Sequence, residues 1–192
     1  MGGNLALSDF RSKESWGNIE RGTEFEAAFM FPSDSKRPLS FFIPEKSNPQ
    51  KGRLVNKDGD FSPRLIDGRL RAQVQQIVVS LKPRRVVVIS SDDINQNDEF
   101  EYILVAPINT IKEQERNKDW YSILKDDEHP IYTYIPNEKF ERYVDLSQTA
   151  SIHKSLLLKK YNKVDQERWC VLEENLLHCL SLGIFEGDAP GD

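Results

Sequence analysis

Sulfur and imidazole are scarce in this chain: among 192 residues there are two cysteines, two methionines and three histidines. Cys170 and Cys179 stand nine residues apart, about 900° around a helix, which places them on roughly opposite faces and excludes a bridge within that helix. Both therefore read as buried free thiols. His129, His153 and His178 have no HxxxH or CxxC companion, so no zinc ligand set exists in the sequence, and neither metal nor other cofactor is expected. Long apolar runs are missing as well. No stretch approaches the roughly 18 uncharged apolar residues of a membrane span. Asp9, Arg11, Lys13 and Glu14 occupy the place where a signal peptide needs an apolar run, so a cytoplasmic protein without membrane contact is expected.

There is no excess of positive charge either. Lys and Arg number 26 against 31 Asp and Glu, a net charge of -5, which excludes a polycation coated for sequence-blind DNA binding and leaves only a local basic groove open. What is present is a chain 38% hydrophobic and 30% charged, long enough to bury a core as one decorated domain.

The order of elements follows from periodicity. Residues 1–18 are polar and aperiodic apart from Phe10 and Trp16, and read as a loose arm, with order beginning near Ile19. Phe25, Ala27, Phe29 and Phe31 alternate along a half-buried strand ended by Pro32. Leu39 to Ile43, between Pro38 and Pro44, is a short strand. Asn56, Asp58 and Asp60 imitate the start of a calcium loop, but Gly59 comes too early and Asp67 stands where a bidentate Glu belongs, so a turn at Asp58–Gly59 is the reading. Leu65, Leu70, Val74, Ile77, Val78 and Leu81 are mostly three or four apart, which predicts an amphipathic helix over 65–81.

After Pro83, the run Val86-Val87-Val88-Ile89 predicts a strand buried on both faces, and Tyr102 to Ile108 a second one paired with it as an antiparallel hairpin. Residues 111–126 read as a helix with a solvated face, 131–135 and 142–146 as strands, and 151–160 as a helix. The last helix has Asp165 as N-cap, Val164 and Trp169 as a hydrophobic staple, Gly183 at its end, and Trp169, Leu172, Leu176 and Leu180 as its core stripe. The sum is α+β in class, a small barrel or rolled sheet with helices packed on it.

Five segments stand in order along the chain: Ile19-Glu20-Arg21-Gly22-Thr23-Glu24-Phe25; Lys82-Pro83-Arg84-Arg85 leading into Val86 to Asp92; Val105-Ala106-Pro107-Ile108-Asn109-Thr110; Tyr143 to Gln148 with Ser151 to Leu157; and Lys163-Val164-Asp165 before a Leu-rich helix. Together they resemble the PemK/MazF family of toxin endoribonucleases. The resemblance implies an SH3-like β-barrel over 19–185, with an inserted helical or loop region at about 33–81, a C-terminal helix and a tail at 186–192. It also implies a symmetric homodimer, a cognate antitoxin partner, and cleavage of single-stranded RNA (mRNA) without a metal through attack of the ribose 2′-hydroxyl.

That chemistry needs a proton acceptor at the hydroxyl, a donor to the leaving oxygen, and positive charge on the developing phosphorane. On the family pattern Arg84 falls on the catalytic arginine, while Asn109, or Thr110 one residue later, falls on the hydroxyl-bearing position. Lys82, Arg85, Gln148 and His153 are the implied substrate-binding residues. Phe31, Trp120 and Tyr121 are aromatics able to stack bases. Arg85 where the family has proline, Ala150 where many relatives have arginine, and His153 in place of aspartate are departures. They keep open an alternative, a non-catalytic barrel of this fold that acts by protein contact in the manner of gyrase poisons or as a degenerate phage or plasmid protein. A third reading is an unrelated small-barrel binding module.

Overall fold

The computed structural model describes residues 10–30 and 39–182. The chain divides into two compact units, one formed by residues 1–28 and 83–192 and the other by 29–82. In chain order β1 (Thr23–Met30) comes first. Next are β2 (Leu39–Pro44), β3 (Gly52–Lys57), β4 (Arg64–Ile66), β5 (Arg69–Arg71) and β6 (Gln76–Ile77). Then come β7 (Leu81–Val88), β8 (Tyr102–Thr110), β9 (Tyr132–Tyr134) and β10 (Arg142–Asp145), and finally β11 (Ala150–His153) and β12 (Leu157–Lys163). The α-helices are α1 (Asp92–Asn95), α2 (Asp119–Lys125) and α3 (Gln166–Cys179). The fold is mixed, mostly sheet, with a C-terminal helix.

The larger unit is one seven-stranded sheet in the order β12-β1-β7-β8-β10-β9, with β11 also paired to β8. The β-branched run of β7 and the apolar run of β8 form the expected antiparallel hairpin, registered Val86 to Pro107 and Val88 to Val105. The far edge of β8 is shared. β11 covers Tyr102 to Val105 and β10 covers Ile108 to Thr110. Pro107, which has no amide hydrogen to offer a ladder, falls in the gap between the two.

One face of this sheet carries Val87, Ile89, Ala106, Ile108, Val144 and Leu146, which pack with Trp169 and Leu172 of α3 in a single core cluster. Asp165 caps α3 as expected, its carboxylate accepting from the Arg168 amide at 3.0 Å. Val164 packs beside Trp169 in the same cluster. The expected stripe narrows along the helix, because Leu176 is half-buried and Leu180 exposed. Gly183 and Phe31 lie outside the described residues.

Several expectations are overturned. The segment 10–18 is not a loose arm: Phe10 and Trp16 are buried, and Trp16 sits in a 3-10 turn with its indole N–H donating to the Phe10 carbonyl at 2.9 Å. No helix forms over 65–81; the residues make β4, β5 and β6. None forms over 151–160 either, where β11, a 3-10 turn and β12 carry the chain. Its triple leucine is divided by strand alternation, with Leu157 buried and Leu158 exposed. The helix predicted over 111–126 shortens to a 3-10 turn and α2. Neither cysteine is a core thiol: Cys170 is exposed and Cys179 half-buried, because α3 buries only a narrow stripe.

The smaller unit contains a three-stranded sheet, β3-β2-β6, around the buried Phe41, and a separate β4–β5 hairpin. Asp67 and Gly68 both have positive φ, 51° and 72°, the conformation of a two-residue type I′ hairpin turn, for which Asp-Gly is a favoured pair. No described helix is long and apolar enough to cross a membrane.

Candidate active site

The C-terminal end of β8 and the N-terminal half of β7 bring the leading sequence candidates to one end of the sheet. The last bridged pair is Val86 with Pro107, and two steps beyond it in each strand stand Arg84 and Asn109. Paired positions share a face, so these two belong to one side of the sheet. Tyr143, directly opposite Asn109 in β10, belongs to that side too.

Burial pushes the Tyr143 phenol up to about 12, while a hydrogen bond with Asn109 pulls the other way. Tyr143 in turn packs against Trp120 at 5.5 Å and Tyr132 at 4.8 Å between ring centroids. Trp120 and Tyr121 are thus both half-buried neighbours of the Leu124 and Tyr134 cluster. Tyr121 is also tied by its hydroxyl to Glu141 at 3.0 Å.

Arg85 and Thr110 belong to the opposite face. Thr110 is exposed at the strand end across from Arg142. Arg142 makes a two-pronged ion pair with Glu24, at 2.8 and 3.0 Å, the geometry in which a guanidinium fork binds most strongly. Arg85 approaches the same carboxylate at 3.7 Å and lies over the Tyr161 ring. These residues line a cleft of about 350 Å³ that also includes Asn137, Lys163 and Asp165. Arg85, Arg142 and Lys163 against Glu24 and Asp165 leave this cleft a net cation for an anion to meet.

The other sequence candidates lie farther along. Lys82 is exposed at the start of β7. Gln148 ends the 3-10 turn after β10, where its amide donates to the buried Asp145 carboxylate at 2.7 Å. His153 pairs with Tyr102, at the opposite end of β8 from Asn109, about 23 Å away at the usual strand rise. Its Nδ1 accepts from the Ser155 amide at 3.1 Å, capping the next turn. The register therefore sets Arg84 and Asn109 on one face, Arg85 and Thr110 on the other, and leaves Gln148 and His153 apart. Among the described residues no group of three or more His, Cys, Asp or Glu is arranged to hold a metal ion.

Glu24, Arg142, Tyr143 and Tyr161 escaped the sequence reading. Arg142 opens a strand, and a cation at that place looks like ordinary solvation until the fold sets Glu24 against it from 118 residues away.

Residues 76–180 match the model of the PemK-like, MazF-like toxins of type II toxin-antitoxin systems. The chain belongs to that family. The match takes in four of the five segments on which the sequence resemblance rests; Ile19 to Phe25 lies outside it. It also places β7, β8, β10 and α3 of this PemK/MazF-like chain in the family's own segment, with Arg84, Asn109 and Tyr143 among them. Among solved structures, the chain is similar to an endoribonuclease from a mycobacterial species in complex with its cognate antitoxin. Identity is 12% and the TM-score 0.41, over 53% of this chain and 84% of that one. No curated protein matches.

Proposed function

We propose that the chain is a toxin-type endoribonuclease that cuts single-stranded RNA, mRNA included, without a metal, by attack of the ribose 2′-hydroxyl on the adjacent phosphate. The observation that carries this reading is the position of Arg84 and Asn109, each two residues beyond the last bridged pair of β7 and β8 and inside the segment that matches the toxin family. In this reading Arg84 holds the scissile phosphate through its guanidinium and stabilises charge that grows as the phosphorane forms. Asn109, paired across the ladder with Tyr143, positions the ribose or the phosphate, while Thr110, on the other face, meets the RNA outside that contact. Lys82 and Arg85 add positive charge, and Gln148 and His153 contact nucleotides farther along the strand.

The small SH3-like barrel of the family is the scaffold in this reading, built on the sheet that joins β1, β7 and β8. A homodimer, an antitoxin protein that masks the site, and a cytoplasmic location belong to the same reading.

The test is cleavage of a mixed-sequence single-stranded RNA in EDTA, with the products examined for 2′,3′-cyclic phosphate ends. Arg84→Ala should lower the cleavage rate by about 100-fold or more, the usual cost of removing one preorganised donor from developing charge. A parent protein that leaves RNA intact, or an Arg84→Ala protein that cuts as well as the parent, overturns the reading. Toxicity retained by Arg84→Ala points instead to action through protein contact.

A further inference from the structure

The charge of this molecule is unevenly divided. Residues 29–82 contain ten Lys and Arg against five Asp and Glu, a net +5, and since the whole chain is -5 the remainder carries -10. Most of the basic unit, up to Gln75, lies outside the segment that matches the toxin family.

Three of those ten cations stand on the β4–β5 hairpin. Arg64 stands directly opposite Arg71, and Arg69 opposite Ile66, so the three guanidinium groups share one face while Leu65 and Leu70 take the other. All three arginines are exposed, and none forms an ion pair with a carboxylate among the described residues. Like charges directly across a ladder destabilise it, and a lone two-stranded hairpin is marginal in water. An anion laid along this face removes the repulsion.

A second feature adjoins the hairpin. Arg64 also lines a cleft of about 310 Å³ with Phe42, Lys57, Gln73, Gln75 and Asp60. The Gln75 side-chain oxygen is buried there without a hydrogen-bond partner among the described residues. Its amide nitrogen is already engaged with the Asp60 carbonyl, and the Asp60 carboxylate accepts from the Ser62 amide. What remains is an acceptor beside an aromatic ring and two cations, which suits a nucleobase amine next to a phosphate.

We propose that this inserted unit is a second grip on single-stranded RNA: Arg64, Arg69 and Arg71 hold the phosphate backbone, and the cleft beside Arg64 receives a base. Phosphates are favoured over the carboxylates of an acidic protein, because a nucleotide brings in one unit an anion for the guanidinium forks and a flat ring with an exocyclic amine for the cleft that Phe42 and Gln75 line. The choice of RNA rests on the function proposed above, and the grip supplies the attraction that a remainder of charge -10 lacks.

The test uses the full chain and a fluorescent 2′-O-methyl oligonucleotide of mixed sequence, which lacks the nucleophile and stays intact, with binding followed over a salt series. The triple variant R64Q/R69Q/R71Q should bind about tenfold more weakly, with a logarithmic salt slope smaller by about 2, as expected for three lost phosphate contacts on a single strand. The matching triple Arg→Lys variant should keep the slope, and Gln75→Leu should weaken binding with the slope unchanged.

Parental affinity and slope in the Gln triple variant overturn the proposal. So does an equal loss in the Lys triple variant, which marks the arginines as structural. Binding of poly-glutamate lost from the Gln triple variant, with oligonucleotide binding intact, assigns the hairpin to an acidic protein and overturns it too. A parent that binds through the hairpin yet leaves unmodified RNA uncut upholds the grip and removes only the endonuclease reading.

Discussion

Glu24 is the residue on which two cations of the larger unit converge, and it is only 11% exposed where it meets Arg142, itself 13% exposed. Breaking such a pair strands a charge that has already lost its water, and this costs more than the pair itself contributes. Glu24→Gln should therefore lower unfolding free energy by about 3 kcal/mol in urea titrations. Tyr143 gives a test by pH. Its phenol is raised from 10.0 to about 12, so the unfolded chain releases this proton first as pH rises, and the folded state loses stability between the two values. The urea midpoint of the parent should fall over about pH 10 to 12 by more than that of Tyr143→Phe, which lacks the ionisable group. Identical profiles would show the phenol to be ordinary. All four of Glu24, Arg84, Asn109 and Tyr143 lie in segments read along the chain, but Glu24 and Tyr143 matter through neighbours that only the fold supplies.

At the scale of elements, the strands of the larger unit were legible where side chains are apolar on consecutive or alternate positions, as in Val86 to Val88 and Ile103 to Val105. The last helix was legible from its cap, since Asp165 accepts the Arg168 amide as the pattern requires. The segment 65–81 was misread because Leu, Val and Ile mostly three to five apart fit a helix and also fit short strands around a turn. The decisive signal was Asp67–Gly68 between two Arg- and Leu-rich triplets, a pair suited to positive φ at both places. A Cβ at Gly68 would meet nothing within 4 Å, so Gly68→Ala carries backbone strain alone, about 1 to 2 kcal/mol. The hairpin should then open more often, read as faster trypsin cleavage after Arg64, Arg69 and Arg71, with the thermal transition of the larger unit unmoved.

At the scale of the molecule, the N-terminal segment belongs to the core. Trp16 is 1% exposed, and the ammonium of Lys154, itself fully buried, lies 4.6 Å from its ring centroid. That ammonium donates to the carbonyls of Ile94 at 2.9 Å and Asn97 at 2.8 Å, so the loop after β7 and the turn after β11 are tied to the segment before β1. Burial holds the Lys154 ammonium below the usual lysine range. Trp16→Ala should cost about 3 to 5 kcal/mol and lower the melting temperature of the larger unit; a change under 1 kcal/mol would return residues 10–18 to the role of an appendage.

By itself the sequence determined the hydrophobic strands β7 and β8, the capped last helix and the ordered segments that match the toxin family. Each of these is written in spacing or composition along the chain. The tertiary structure alone decided which cations share Glu24, that Arg84 and Asn109 share a face, that Trp16 is core, and that the arginines of the insertion line up on one side of a hairpin. Those depend on contacts between distant residues, and a strand register shifted by one residue would have sent each of those side chains to the other face.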